Sequence, residues 1–160
     1  MHHHIIKTAI WYALVLMVMF TLYHFGSTYT LCIVDEDFVW MEPTLQPRST
    51  HTLKRGDKVI RELKTNDIIA YWSVRNNQLK RMYGRVVAAP GEYVSVRNNR
   101  LMINGLESGE LPKGLELVET GLTVPRESIL VIFDSPRARE LSLNKHLVSY
   151  RDIYGRLLIE

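Results

Sequence analysis

From Thr8 to Phe25 the chain reads TAIWYALVLMVMFTLYHF, eighteen residues without a formal charge. Lys7 is the only charged side chain ahead of Asp35. As a helix rising about 1.5 Å per residue, this run is about 27 Å long, close to the hydrocarbon thickness of a bilayer. Trp11 and Tyr12 near one end, and Tyr23 and His24 near the other, are side chains that suit membrane interfaces. Gly26 and Ser27 then offer a stop. A cleaved signal peptide fits less well, because its apolar core is roughly 7–15 residues long and ends at a small-residue site. Tyr23-His24-Phe25 and Tyr29-Thr30-Leu31 are bulky instead. A buried core helix is the bland alternative, disfavoured by so long a charge-free run. The expected organisation is a cytoplasmic segment 1–7, a transmembrane signal-anchor helix 8–25, a linker 26–37 and an extracellular domain 38–160. Lys7 before the span and Asp35, Glu36 and Asp37 after it set that orientation.

Beyond the span the chain changes character. Of its 20 Lys and Arg residues only Lys7 precedes Asp35, which leaves 19 basic against 17 acidic side chains in the remainder. That balance, with cations scattered rather than striped, excludes a dedicated nucleic-acid binder. A single cysteine, Cys32, excludes an internal disulfide framework and a cysteine-rich zinc site. No metal or other cofactor and no small-molecule substrate is expected, and His2, His3 and His4 are given no metal role.

Short β-branched runs bounded by turn residues follow: Lys58-Val59-Ile60, Asp67 to Trp72, and Gly84 to Val87. Tyr93–Arg97 and Arg100–Ile103 flank Asn98-Asn99, a hairpin signal because Asn tolerates positive φ. Ile129–Phe133 is fully apolar and reads as a central strand; Ile153–Ile159 reads as a last strand, weakened by Gly155. Turn signals stand at Arg55-Gly56-Asp57, Pro90-Gly91 and Asn104-Gly105, and residues 105–127 read as a loop-rich excursion with one short strand. No later segment has a long amphipathic period, so the fold class is an all-β domain of short strands behind one helix.

Five blocks carry a resemblance. Trp40-Met41-Glu42-Pro43-Thr44-Leu45 comes first, then Lys54 to Val59, Thr65 to Ala70, Arg85 to Glu92 and Arg151 to Arg156. In this order and spacing, over residues 38–156, they resemble type I signal peptidases, the membrane-anchored Ser/Lys proteases that remove signal peptides. The resemblance implies that fold and places the nucleophilic serine at the position of Trp40. It places the general-base lysine at Gly84, and an oxyanion hydroxyl at Phe38. An indole offers only a donor N–H and glycine has no side chain, so neither half of a nucleophile–base pair is present at those positions.

Neighbours do not replace them. Lys80 lies four residues before Gly84, roughly 13 Å along a strand. No serine stands between Ser27 and Ser49, and Thr44 belongs to the turn-forming part of its block. Cys32 is expected to be a buried, inert thiol. Asp37 and Asp134 are the carboxylates an aspartic-type pair would use; Asp134 matches the family's aspartate after the apolar strand and is expected to bond backbone at a strand end. Of the family's downstream Asp-Ser-Arg element, Leu141-Ser142-Leu143 keeps only the serine. Trp40 and Met41 have two readings, apolar contacts with a membrane surface or an aromatic anchor in a former substrate groove. Pro43, Pro90 and Gly91 read as turn formers, Arg85 as snorkelling or paired with a carboxylate, and His51 and His146 as surface residues. The candidate peptide- or partner-binding residues are thus Phe38, Trp40, Met41, Pro43, Gly84, Arg85 and Asp134.

Signal-peptidase-like proteins lacking the dyad stand beside pilin and sortase genes in Gram-positive bacteria, where pilus assembly requires them. The resemblance therefore implies a catalytically silent homologue that binds pilin subunits or sortase at the cell surface. Two alternatives remain at this point: an active signal peptidase with an unusual catalytic arrangement, and a docking platform for another membrane enzyme.

Overall fold

The computed structural model describes residues 2–36, 38–75, 77–97, 100–110, 121–135 and 146–159. Helix α1, His2–Thr28, holds an apolar stretch from Ile6 to Thr28, 23 residues long, that is not buried inside the protein; near its end Phe25 packs on Tyr29, ring centroids 4.8 Å apart. It is long and apolar enough to cross a membrane. The linker expected over 26–37 is corrected: α1 continues through Thr28 and passes directly into strand β1, Tyr29–Ile33. The reason is alternation, with Cys32 pointing inward at 2% exposure while Leu31 and Ile33 face out.

Strand β2 is Thr50–Lys54 and helix α2 is Asp57–Arg61. Strands β3, Ile68–Arg75, and β4, Gln78–Ala88, form a long hairpin. Then come β5 Tyr93–Arg97, β6 Arg100–Ile103, β7 Leu106–Glu110 and β8 Leu122–Thr123. Strand β9 is Ser128–Ile132, β10 Leu147–Ser149 and, after a 3₁₀ turn, β11 Ile153–Leu158. All pairings are antiparallel. One sheet runs β1-β2-β11-β3-β4-β9-β10, and a smaller one runs β7-β6-β5-β8. The all-β reading holds.

Asn104 and Gly105 have φ of 52° and 81°, as a two-residue hairpin loop between β6 and β7 requires. Gly91, φ 85°, follows Pro90 in the turn before β5. Asn98-Asn99 lie outside the described residues, but β5 and β6 pair on either side of them, Arg97 opposite Arg100. Lys58-Val59-Ile60 is corrected from strand to the short helix α2: Gly56 at φ 120° turns the chain, and only Val59 of that helix is buried. The stretch Gln46–Leu53 now has a role. Val34 N donates to Ser49 O and Val34 O accepts from Arg48 N, closing loop 34–49 so that β2 returns along β1. The core runs between the sheets and this loop, with Leu45, Leu53, Ile69, Tyr83 and Leu130 fully enclosed.

Candidate functional site

Loop 34–49 carries the first motif block across the face of β4 and β9. Met41 and Leu45, both 0% exposed, pin it to the core, and Leu45 N donates to Met41 O at 2.9 Å. Pro43 stands exposed in the turn. Phe38 is buried against Tyr83 of β4, ring centroids 5.1 Å apart and edge-on. Trp40 packs edge-on against Phe133 at 5.0 Å, and its carbonyl accepts from Ser135 N at 2.9 Å. On its other side the guanidinium of Arg75 lies 3.7 Å from the ring centroid. The indole is thus held between an aromatic edge and a cation.

Gly84 is buried in β4 opposite Ile69. A Cβ there would stand 3.1 Å from Val131 Cβ and 3.2 Å from Val131 Cγ2 on β9. Val131 therefore crowds the space into which any side chain at this position would start.

Arg85 and Asp134 resolve the alternatives left for them. Arg85 Nε donates to Asp134 Oδ1 at 2.8 Å and Nη2 to Oδ2 at 2.5 Å, a two-pronged ion pair. Thr44 Oγ1 donates to Asp134 Oδ2 at 2.5 Å, and Arg85 Nη1 donates to Asn66 O at 3.2 Å. The strand-end role of Asp134 is corrected accordingly: it bonds two side chains from distant elements, because Arg85 stands opposite Ile132, two residues before Asp134, on the β4–β9 ladder. The hydrogen bonds from Arg85 to Asp134 favour the charged guanidinium and raise its pKa. The carboxylate of Asp134 is thereby engaged on both oxygens.

The other replacements stand apart from this cluster. Burial pushes the Cys32 thiol up, which keeps it protonated. Lys80 is exposed on β4 opposite Ser73. Asp37 and Leu141-Ser142-Leu143 lie outside the described residues. His146 is corrected from surface to core, at 1% exposure, with its ring 5.5 Å from Phe133 and neither nitrogen hydrogen-bonded. Burial pushes it down to about 4, partly offset by the nearby Val131 backbone. His51 is half-buried and shares a 2.8 Å hydrogen bond with Ser49 Oγ.

Beside Trp40 opens a cleft of about 610 Å³ between loop 34–49 and the β3–β4 hairpin. Trp40, Trp72, Arg75, Lys80 and Arg81 line it, with Asp35 and Glu36 on the loop side. Trp72, Arg75 and Arg81 were not singled out from the sequence. The signal was there: Asn76-Asn77 has the same form as Asn98-Asn99, and Asn77 has φ 59° in a loop that pairs Arg75 with Gln78. Among the described residues no cluster of His, Cys, Asp and Glu is arranged to hold a metal ion.

Residues 5–119 match the family model described as signal peptidase, peptidase S26. A crystal structure of a signal peptidase I from Enterococcus faecalis V583, at 2.27 Å resolution, is similar at 26% identity and a TM-score of 0.49. That match covers 61% of this chain and 97% of the other. No curated protein sequence matches. With the family model spanning well over half of its length, the chain belongs to the signal peptidase S26 family.

Proposed function

We propose that this chain is a non-catalytic signal peptidase homologue that binds extended segments of pilin subunits or sortase and assists pilus assembly. In this reading α1 anchors it in the cell membrane, with the N-terminus cytoplasmic and the β domain outside. The observation that carries the reading is Trp40: the position matching the family's nucleophile holds an indole packed on Phe133 and capped by Arg75. Two further observations support it. Val131 crowds the position matching the base, and Asp134 is committed to Arg85 and Thr44. Hydrolysis through an acyl-enzyme needs a nucleophile and a base within hydrogen-bond reach. Binding needs only a groove, where backbone hydrogen bonds to an added strand supply affinity.

Purified full-length protein in detergent, mixed with signal-peptide-bearing precursors, is expected to give no cleavage product while an active signal peptidase does. A Trp40→Ser, Gly84→Lys double variant runs beside it as the gain-of-function arm. Members of this family are normally enzymes, and that membership favours a second reading, an active peptidase with a relocated catalytic arrangement. Product from the unmodified chain, lost on Asp134→Asn or Cys32→Ser, would establish the second reading and end the first.

A further inference from the structure

Strand β9 pairs with β4 only from Arg85 to Ala88, whereas β3 pairs with β4 along its whole length. Among the described residues, the backbone of β4 from Gln78 to Gly84 therefore has no strand on its β9 side. An unpaired edge of this kind accepts an extended chain. The cleft beside Trp40 runs along this edge.

The cleft gathers cations. Several arginines of the domain meet carboxylates, Arg85 with Asp134, Arg156 with Asp67, Arg100 with Glu107, and Arg48 with Glu36. Arg75, Lys80 and Arg81 line one cleft, and none of them has a carboxylate partner among the described residues. The Arg75 guanidinium lies 3.7 Å from the Trp40 ring centroid, a contact that uses none of its N–H donors in a carboxylate pair. Arg81 Nε is buried with no hydrogen-bond partner. Of the two acidic residues on the opposite lip, Glu36 is taken by Arg48; Arg75 and Lys80 share one face of the hairpin, and Arg81 lies on the other beside Trp72. Apolar surface lies alongside: Trp72 is 37% exposed and Leu79 65% exposed on the same hairpin.

We infer that this cleft binds a partner segment in which acidic and large apolar residues alternate, added as a strand along Gln78–Gly84. The inference rests on the peptide-binding reading of the chain and names the chemistry of its ligand. Successive residues of an added strand point to opposite faces. An acidic residue directed at Arg75 and Lys80, which share one face of the hairpin, thus places its apolar neighbour toward Trp72 and Leu79 on the other. A peptide is favoured over an anionic lipid surface by the backbone edge of β4, which a headgroup cannot use.

The test uses full-length protein in phosphatidylcholine nanodiscs and fluorescein-labelled, end-blocked peptides read by anisotropy. The acidic probe is Ala-Glu-Leu-Glu-Leu-Glu-Ala; the controls replace Glu by Gln, or use alternating Ala and Thr. The acidic peptide is expected to bind about tenfold tighter than the Gln peptide, and less tightly as salt rises. Lys80→Glu, at an exposed position with no packing role, is expected to weaken the acidic peptide about fivefold and leave the Gln peptide unchanged. Equal binding of all peptides, insensitive to Lys80→Glu, overturns the acidic preference while peptide binding itself stands. No binding of any peptide overturns both. Capture of phosphatidylglycerol vesicles that Lys80→Glu abolishes, without acidic-peptide binding, assigns the cleft to lipid and overturns the inference.

Discussion

Trp40 and His146 show how much a single side chain depends on its surroundings. Both touch Phe133, Trp40 at 5.0 Å and His146 at 5.5 Å, so one apolar cluster holds the indole and an uncharged imidazole. Burial sets most of what protonating His146 costs; the Val131 backbone on β9 opposes it and the Arg75 cation on β3 adds to it. With the folded value at about 4 and an unfolded value near 6.5, the unfolded chain binds more protons between these limits. Stability from this group is therefore full above about pH 6.5 and falls by about 3 kcal/mol as pH drops to about 4. Denaturant titrations across that range check it: His146→Phe is expected to remove this part of the slope, and an unchanged slope would refute the assignment. Neither the burial of His146 nor the Arg85–Asp134 pair was legible in the sequence. A lone histidine has no period, and the two ion-paired residues are 49 positions apart.

At the level of elements, β11 explains a residue that looked out of place. Gly155 weakens a strand by propensity, yet a Cβ there would lie 2.2 Å from Leu53 Cδ2 and 2.7 Å from Lys54 O. The β11–β3 register slips between Ile153 and Gly155, so glycine marks a bulge where β2 approaches closely. Gly155→Ala is expected to destabilise the domain by about 2 kcal/mol, because the clash is partly with backbone and cannot relax by a rotamer change. A midpoint shift in urea would measure it, and an unchanged midpoint would mean that β2 and β11 are less tightly apposed. Other elements were readable from pattern alone. β5, β6 and β9 follow from β-branched runs between turn residues, and Asn104-Gly105 specifies its hairpin by loop length. Lys58-Val59-Ile60 misled because three residues are too few to show a period, and Gly56 decided the outcome.

For the whole molecule, the passage from α1 into β1 links the apolar helix and the β domain. β1 pairs with β2 over its full length and places Cys32 in the core. A truncation beginning at Ser27 is therefore expected to give a domain that no longer partitions with membranes and still unfolds cooperatively. A truncation beginning at Val34 removes an edge strand and uncovers Leu53 and its neighbours, so it is expected to lose several °C in Tm relative to the longer form. Equal Tm values for the two would show that β1 is dispensable.

The sequence by itself determined the apolar helix, the all-β class and the identity of the residues at the two motif positions. Each of these depends on local composition, on a short period or on ordered motif spacing. Only the tertiary structure decided that Trp40 is clasped between Phe133 and Arg75, that Val131 crowds Gly84, and that Asp134 is bound by Arg85 and Thr44. It also decided that Arg75, Lys80 and Arg81 line one cleft, beside a stretch of β4 that has no β9 partner among the described residues. These are contacts between segments far apart in the chain, set by sheet order and register, and no local pattern encodes them.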